Sequence, residues 1–293
     1  MRPEVASAAV LRDRAERLRA LHHGDRPLVL ANVWDAASAR LFEAAGFPAL
    51  ATTSAGVAYA HGYPDGERIG RRLMLEAVRR IAAAVQAPVS ADLEAGYGAG
   101  PGAVTRTVEA LVGAGAVGLN LEDARGRRPR LVAVADQVER VRAARAAAAA
   151  VAVPVVINAR TDVFHGVEPS PRLVAEAIAR GNAYLEAGAD AVFVPFVRDA
   201  GTIGALARGL HGPLNVLIGP GTPSVAELWA LGVRRVSVGS GIARAAFGFA
   251  RRAAEELRER GTVGLVSEWA VPYDEMQGLF TTSAPAAPPE GRS

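Results

Sequence analysis

The stretch GAGAVGLNLED, from Gly113 to Asp123, decides the fold. Small residues and a glycine end a helix, an apolar run follows, and polar residues come where that run stops. Glycine suits a helix end because it adopts the left-handed backbone conformation without strain. The same order of features recurs at AAGFPAL (Ala44 to Leu50), EAGADAVF (Glu186 to Phe193) and ALGVRRVSV (Ala230 to Val238). The pattern indicates a chain built from repeated helix and strand units.

Short aliphatic or β-branched runs, of the length that buried strands have, occur eight times. They are Leu28 to Val33, Ala49 to Thr53, Pro88 to Asp92, Ala116 to Leu121, Val153 to Ala159, Ala189 to Pro195, Pro213 to Ile218 and Val233 to Val238. Segments with helical periodicity separate them, as between Arg71 and Val85, where apolar residues return every four positions. Eight alternations in about 250 residues are typical of a (β/α)8 barrel. We therefore predict the α/β class and a single-domain TIM barrel.

The barrel is predicted to occupy residues 25–262. An N-terminal helix in residues 1–24 precedes it, with Val10, Leu18 and Leu21 spaced to cover the barrel floor or a neighbour. A C-terminal extension is predicted for residues 263–280. Residues 281–293 are rich in Pro, Ala and Ser, which predicts a disordered tail.

Composition limits both the location of the protein and its chemistry. The first thirty residues show no signal peptide, and no stretch reaches the roughly 20 apolar residues of a membrane span, so we expect a cytoplasmic protein. The net charge is only +3, which does not indicate a nucleic-acid partner. The 33 basic residues are all Arg, and Cys is absent. A Schiff base through Lys and a thiolate nucleophile are therefore excluded.

Polar residues follow most of the predicted strands. Because the catalytic groups of such barrels lie at the C-terminal ends of the strands, these residues are candidates for a site. They are Asn32, Trp34 and Asp35 at the end of the first run, Thr52, Thr53 and Ser54 at the end of the second, Asp92 and Glu94 at the end of the third, Asn120, Glu122 and Asp123 at the end of the fourth, and Asn158, Arg160 and Thr161 at the end of the fifth.

Asp92, Glu94 and Glu122 place three carboxylates on two adjacent strand ends. Mutual repulsion would raise their pKa values unless a cation lies between them. Oxygen ligands at this density suit Mg2+ or Mn2+. An alternative for Glu122 and Asp123 is that they cap the following helix or pair with Arg125.

Arg160 directly follows an apolar strand. Its planar guanidinium matches a carboxylate or a phosphonate group, so it is a candidate for substrate binding. The alternative is an internal ion pair with Glu122.

Five motifs, in order along the chain, carry a resemblance to a known family. They are TTSAG (Thr52 to Gly56), GYPDGE (Gly62 to Glu67), SADLEAGYG (Ser90 to Gly98), LNLED (Leu119 to Asp123) and INARTD (Ile157 to Asp162). Together they cover nearly all of the barrel and resemble the isocitrate lyase and phosphoenolpyruvate mutase superfamily. The resemblance implies a Mg2+-dependent enzyme that acts on a small oxo-acid.

The resemblance also implies roles for individual residues. Asp92 would bind Mg2+ directly, and Asp65, Glu94 and Glu122 would reach it mainly through water. The substrate would contact Trp34, Asp35, the Ser54 side chain, the backbone amides of Ala55 and Gly56, Arg160 and Asn215. Members of the family commonly form tetramers that exchange their last helix, so residues 241–260 are expected to pack on a partner subunit.

The loop after the fourth strand departs from the family. Isocitrate and methylisocitrate lyases carry a Cys in this loop, and phosphonate-forming mutases carry a Lys and an Asn. Here the loop reads EDARGRRPR from Glu122 to Arg130, which excludes the Cys route and disfavours the mutase. Its arginines, between positions 125 and 130, are either a solvated basic loop or a gate over a dianionic substrate. A gate predicts that Arg127→Ala or Arg128→Ala changes substrate affinity or turnover.

The favoured reaction is the cleavage of a carbon–carbon bond in an oxo- or hydroxy-dicarboxylate. Decarboxylation of oxaloacetate needs no base, because loss of carbon dioxide generates a pyruvate enolate that Mg2+ and Arg160 could hold. Retro-aldol cleavage of a substituted malate needs a base, for which Tyr97 and Glu122 are the main candidates. His61 and His165 are further candidates.

Three alternatives stay open at this stage. One is carbon–phosphorus chemistry, by a mutase or hydrolase of phosphoenolpyruvate or phosphonopyruvate, with Asp65 near the transferred group. The second is a catalytically silent barrel that binds a metabolite. The third is a phosphate-binding aldolase, suggested by the glycines at 219–221 and 239–241.

Overall fold

A computed structural model describes residues 6–125 and 130–281 of the protein. The strands in this part of the chain are β1 (Leu28–Val33), β2 (Leu50–Thr52), β3 (Val89–Asp92), β4 (Gly118–Glu122), β5 (Ala124–Arg125), β6 (Arg130–Leu131), β7 (Val156–Arg160), β8 (Ala191–Val194), β9 (Leu214–Leu217) and β10 (Arg235–Ser237). Eight of them are parallel and close a barrel in the order β1-β10-β9-β8-β7-β4-β3-β2. β5 and β6 form a separate antiparallel hairpin. The predicted (β/α)8 barrel is confirmed.

Helices surround the barrel. They are α1 (Ala8–Leu21), α2 (Ala36–Ala44), α3 (Ser54–Ala60), α4 (Arg71–Ala84), α5 (Pro101–Gly113), α6 (Val134–Ala150), α7 (Pro171–Glu186), α8 (Ala200–Gly209), α9 (Val225–Ala230), α10 (Gly241–Arg260), α11 (Gly264–Trp269) and α12 (Tyr273–Thr281). None of the helices in residues 6–125 and 130–281 has the length and apolar character that crossing a membrane requires.

The hydrophobic core lies between the ring of strands and the helices. On β9, Leu214 and Val216 pack with Ile203 and Leu206 of α8. Successive side chains of a strand point to opposite faces, so Asn215 between them points to the barrel axis. This alternation leaves polar side chains inside the barrel and positions the last of them at its mouth.

Helix α1 lies within the range expected for the N-terminal helix, and two of the three residues predicted to face the barrel do so. Leu18 is buried and Leu21 packs against the core, whereas Val10 is 42% exposed. Leu11 and Ala15 complete the buried face, at the helical repeat of four and three residues that leads to Leu18.

Helix α10 and the helices after it lie mostly at the surface. Ala243 is the one buried residue of α10, and Trp269 and Tyr273 are 67% and 77% exposed. Helix α12 contacts α2. Exchange of α10 with a partner subunit stays a prediction. The predicted tail begins at Thr281, which ends α12, and positions 282–293 lie outside the described residues.

Candidate active site

The mouth of the barrel contains strained backbone. In the described ranges five non-glycine residues have a positive φ, and four of them lie beside the strand ends: Glu67 (60°), Glu94 (48°), Tyr97 (56°) and Phe196 (68°). This conformation costs a side-chain-bearing residue on the order of 1–2 kcal/mol. Such strain clusters where a chain must hold side chains in fixed directions, so it marks the mouth as a candidate site.

Asp92 ends β3 and is only 9% exposed. Its Oδ2 accepts hydrogen bonds from the Ser54 hydroxyl at 2.8 Å and from the Ser54 backbone N–H at 3.2 Å. The Asp92 N–H donates to the Thr52 hydroxyl at 2.8 Å. The carboxylate is therefore fixed between β3 and the start of α3, with Oδ1 accepting only a long hydrogen bond, of 3.4 Å, from the Glu94 N–H.

Gly56 allows the close approach of α3 to this corner. A Cβ at position 56 would lie 2.6 Å from the Thr53 methyl carbon and 3.0 Å from the Trp34 Cβ. A larger residue would collide with Thr53 and Trp34, so the TTSAG motif requires glycine at position 56 for steric reasons.

Glu94 is buried and joins two loops. It accepts a hydrogen bond from the Glu67 N–H at 2.6 Å through Oε2 and one from the Tyr97 hydroxyl at 2.9 Å through Oε1. Burial, with Asp92 and Asp65 nearby, raises the pKa of Glu94 to about 8. Burial and the Glu94 charge raise the pKa of Tyr97 far above its ordinary value. In this arrangement Tyr97 is a hydrogen-bond donor to Glu94, which disfavours it as a general base.

Arg160 lies at the centre of the mouth. Its Nε donates to Asp162 Oδ1 at 2.8 Å, and its Nη1 lies 3.0 Å from Glu122 Oε2. Its Cζ is 5.6 Å from the ring centre of Phe193 and 5.8 Å from that of Phe196. Burial alone would lower the pKa of Arg160, but Glu122 and Asp162 raise it. The internal ion pair with Glu122 is thus present, and Asp162 holds the guanidinium from a second side.

Glu122, Arg160, Phe193 and Asn215 form one row across four neighbouring strands, because each is the register partner of the next. In-register side chains of parallel strands point to the same face. A carboxylate, a guanidinium, an aromatic ring and an amide therefore face the barrel interior side by side, and the amide of Asn215 is the most deeply buried of the four. Burial raises the pKa of Glu122, and the Arg160 cation opposes that rise.

The other predicted site residues differ from one another in their burial and in their contacts. Trp34 is half-buried, and its ring centre lies 6.5 Å from that of Phe247. Asp35 is exposed and caps α2, with Oδ1 accepting the Ser38 N–H at 2.7 Å. Asp65 lies exposed at the rim, where partial burial and Asp92 raise its pKa. Asn215 is fully buried, and its Nδ2 has no hydrogen-bond partner in the described part of the chain.

Sequence reasoning predicted Glu122 as a possible partner of Arg160 but missed the two aromatic residues that lie against it. Phe193 lies within the sixth apolar run, and Phe196 follows Pro195, where that run ends. His165, considered as a base, lies with its ring centre 4.9 Å from that of Phe196 in an edge-on contact. The available signal for Phe196 was an aromatic residue directly after a strand end, where polar residues are usual.

Asp123 is neither a helix cap nor a partner of Arg125, which corrects both alternatives considered from the sequence. It is completely buried and accepts hydrogen bonds from the hydroxyls of Thr161 (2.8 Å) and Tyr184 (2.7 Å) and from the Asp162 N–H (3.0 Å). Arg180 Nη1 lies 3.3 Å from its Oδ2. Asp123 therefore fixes the segment after Arg160 to α7.

Asp123→Asn should destabilise the protein by about 3 kcal/mol, because the charge is lost and an amide group faces at least two donors. The midpoint of urea unfolding measures this effect. Asp199→Asn, at the exposed cap of α8, is the matched control and should cost about 1 kcal/mol or less. An Asp123→Asn protein as stable as this control would contradict the assigned role.

The predicted Mg2+ ligands fit a divalent cation by their chemistry. Asp65, Asp92, Glu94 and Glu122 all lie at the mouth, and the pKa values of Asp65, Glu94 and Glu122 are raised, mainly by burial. A cation bound between these carboxylates would offset their mutual repulsion and lower their pKa values. In the part of the chain that the structure describes, no three carboxylate or imidazole side chains converge closely enough to ligate one ion directly. That spacing suits an ion bound by one carboxylate and reached by others through water.

The crowded carboxylates predict a pH dependence of stability in the absence of metal. The pKa of Glu94 is about 8 in the folded protein and about 4.5 in the unfolded chain. The folded state therefore binds more protons between these values, so the stability conferred by the neutral group is lost as the pH rises through this range. We expect the thermal midpoint in EDTA to fall from about pH 5 to about pH 8, and saturating Mg2+ to reduce the fall. Glu94→Gln should flatten the EDTA profile, and a flat wild-type profile would contradict the expectation.

Known proteins similar to this chain identify its family. The family model of phosphoenolpyruvate phosphomutase matches residues 18–258. The chain belongs to the phosphoenolpyruvate mutase and isocitrate lyase superfamily. The resemblance found in the five sequence motifs is therefore confirmed. Members of this superfamily are mutases and lyases that depend on a divalent metal ion and act on small oxo-acids.

Three relatives illustrate the range of the superfamily. A structure from Burkholderia cenocepacia J2315, described as a lyase/mutase, is 43% identical, with a TM-score of 0.86 and coverage of 94% of this chain and 98% of that chain. The structure of a 2,3-dimethylmalate lyase is 30% identical, with a TM-score of 0.79 and coverage of 91% and 94%. Oxaloacetate decarboxylase of Bradyrhizobium sp. (strain BTAi1 / ATCC BAA-1182) is 31% identical over 78% of each chain.

Proposed function

We propose that the protein is a Mg2+-dependent lyase that cleaves a carbon–carbon bond of a small oxo- or hydroxy-dicarboxylate through an enolate. The enolate is that of pyruvate when an oxo-dicarboxylate loses carbon dioxide, and that of the departing carboxylate fragment when a hydroxy-dicarboxylate undergoes retro-aldol cleavage. One observation carries the proposal. Arg160 is held by two carboxylates and two aromatic rings beside the acidic mouth. Similarity to an oxaloacetate decarboxylase and to a 2,3-dimethylmalate lyase supports the same class of reaction.

Different residues of the mouth would bind the substrate and the metal ion. Arg160 would bind a carboxylate of the substrate through its guanidinium. Ser54 and the amides of Ala55 and Gly56 would bind the oxo-acid end, with Ser54 and Gly56 exchanging their contacts with Asp92 and Thr53 for the substrate. Asn215, whose Nδ2 lacks a partner in the described residues, would donate to the substrate from the next-but-one strand. When bound, Mg2+ would supply the positive charge that stabilises an enolate. Asp92 would hold it, with Asp65, Glu94 and Glu122 around it.

Glu122 is the preferred base where the substrate carries a hydroxyl group. Burial raises its pKa well above its ordinary value, which makes it a stronger base than an exposed carboxylate. Its contact with Arg160 keeps its carboxylate at the mouth. Decarboxylation would need no base, and Arg160 would then only hold the substrate and the product.

The test is an assay of the purified protein with Mg2+ against oxaloacetate, 2-methylmalate, 2,3-dimethylmalate and phosphonopyruvate, with release of pyruvate and, for phosphonopyruvate, formation of phosphoenolpyruvate as the readouts. Pyruvate from a dicarboxylate, lost in Asp92→Ala, supports the proposal. Activity on phosphonopyruvate alone would replace it with the carbon–phosphorus reaction, which the family match also allows. Mg2+ binding with no turnover of the panel would favour a metabolite-binding barrel.

We also propose that the protein forms a homotetramer in which subunits exchange α10. The C-terminal region has exposed apolar side chains that a partner subunit would cover, which supports this proposal. They are Phe247, Phe249, Leu257, Val266, Trp269 and Tyr273. A single species of monomer mass in analytical ultracentrifugation, at micromolar concentration, would overturn this proposal.

A further inference from the structure

Arg235 is a charged residue inside the barrel. It is 1% exposed, and its neighbours in register are Asn215 on β9 and Leu28 on β1. A guanidinium in such a position loses its hydration and normally has a carboxylate partner. In the described ranges no carboxylate forms an ion pair with Arg235, so its charge needs another explanation.

The contacts of Arg235 are all neutral. Its Nη1 lies 3.3 Å from His22 Nε2, and its Nη2 lies 3.3 Å from the Ser90 hydroxyl and 3.5 Å from Asn120 Oδ1. His22 donates through Nδ1 to the Leu18 carbonyl at 2.8 Å, so Nε2 is an acceptor. Burial and the Arg235 charge lower the pKa of His22 to about 3, which leaves the imidazole neutral. These neutral side chains thus contact the Arg235 guanidinium without neutralising its charge.

The nearest opposite charges lie one layer above Arg235. Ser90 and Asn120 are each two residues before a mouth carboxylate, Asp92 on β3 and Glu122 on β4. Two residues along a strand span about 6.6 Å and face the same side, so Arg235 lies directly beneath the acidic cluster. Burial lowers the pKa of Arg235 to about 9, and Asp92 opposes the shift, so the guanidinium remains charged at neutral pH.

We infer that Arg235 is a built-in counter-charge for the acidic mouth, which stabilises the metal-free cluster and weakens its affinity for a divalent cation. The inference rests on the proposed Mg2+ site. A fixed positive charge beneath a Mg2+ ion repels it through a medium of low dielectric constant. Removing the charge should therefore tighten Mg2+ binding, whereas the loss of a purely structural residue would weaken binding or leave it unchanged.

The experiment compares Mg2+ dissociation constants, measured by calorimetry, in four variants of the full chain. Arg235→Met and Arg235→Gln remove the charge, and Gln can retain hydrogen bonds to Ser90 and Asn120. Arg235→Lys keeps the charge. Arg14→Met, at another buried arginine on α1 that binds the Val85 carbonyl and Gln86, controls for the loss of a buried guanidinium.

We expect Arg235→Met and Arg235→Gln to bind Mg2+ at least about tenfold more tightly than wild type, given charges on the order of 7–10 Å apart. Arg235→Lys and Arg14→Met should bind within about threefold of wild type. Equal or weaker binding in both charge-removing variants would overturn the inference and leave the proposed lyase intact. A wild type that binds no Mg2+ would overturn the metal site and the inference together.

Folding of the variants is part of the test. Without Arg235 the metal-free cluster lacks its counter-charge, so a variant that is unstable in EDTA should be rescued by Mg2+, with a larger increase in thermal midpoint than wild type shows. Variants that stay unfolded at saturating Mg2+ would assign Arg235 to the core alone and overturn the inference.

Discussion

Asp92→Asn should lower turnover at least about 1000-fold on the substrate that the wild type cleaves, because it removes the one carboxylate proposed to contact Mg2+ directly. The amide is nearly isosteric, so Ser54 and Thr52 can retain contacts with residue 92. The loss should appear in kcat, and calorimetry should show weaker Mg2+ binding. Asp92→Asn protein should unfold at a temperature close to that of the wild type, since the local packing is preserved.

The matched control is Asp136→Asn, at an exposed position in the first turn of α6. It removes one carboxylate from the chain and should leave kcat and Mg2+ affinity unchanged. If Asp92→Asn retained more than a tenth of wild-type kcat at saturating Mg2+, Asp92 would not be the direct ligand.

Arg160→Lys is expected to lower kcat/KM about 1000-fold, although the positive charge is kept. An ammonium cannot reach Asp162, Glu122 and a substrate carboxylate together, and it does not stack flat between Phe193 and Phe196. Because Arg160 is proposed to hold both substrate and enolate, the effect should appear in KM as well as in kcat. Steady-state kinetics over a range of substrate concentrations measures both.

Two further substitutions separate geometry from charge at this position. Arg72→Lys, on the exposed face of α4, should not change either constant. Phe196→Leu should raise KM by several-fold while leaving the ion pairs intact, since it removes one aromatic face from Arg160. Wild-type kinetics in Arg160→Lys would exclude Arg160 from substrate binding.

The fold was predictable because the sequence repeats one local pattern. Buried parallel strands appear as short apolar runs, and glycine marks the helix ends that precede them, as at Gly115 and Gly188, which both have a positive φ. The short hairpin of β5 and β6 was not predicted. Its strands have two residues each, too few for an alternating pattern to be recognised.

The candidate site was predictable in part. Asp92, Glu122 and Arg160 follow apolar runs, so their position at the mouth could be inferred from the strand ends alone. The functions of Asp123 and Arg235 could not be inferred, because they depend on partners far away in the chain: Arg180 and Tyr184 for the first, His22 and Asn120 for the second. The sequence shows that a residue is charged, but it shows neither whether the side chain is buried nor whether an opposite charge lies beside it.

The residues with a positive φ around the mouth affect how the protein can adapt to temperature. At Glu67, Glu94, Tyr97 and Phe196 the side chain is kept in spite of the backbone strain, so glycine at any of them would relieve that strain. Each such exchange would also remove Glu94 itself or release a loop or ring that holds Glu94 or Arg160. Selection for heat tolerance and selection for catalytic rate therefore act in opposite directions at these positions, and we expect relatives adapted to different temperatures to diverge there first.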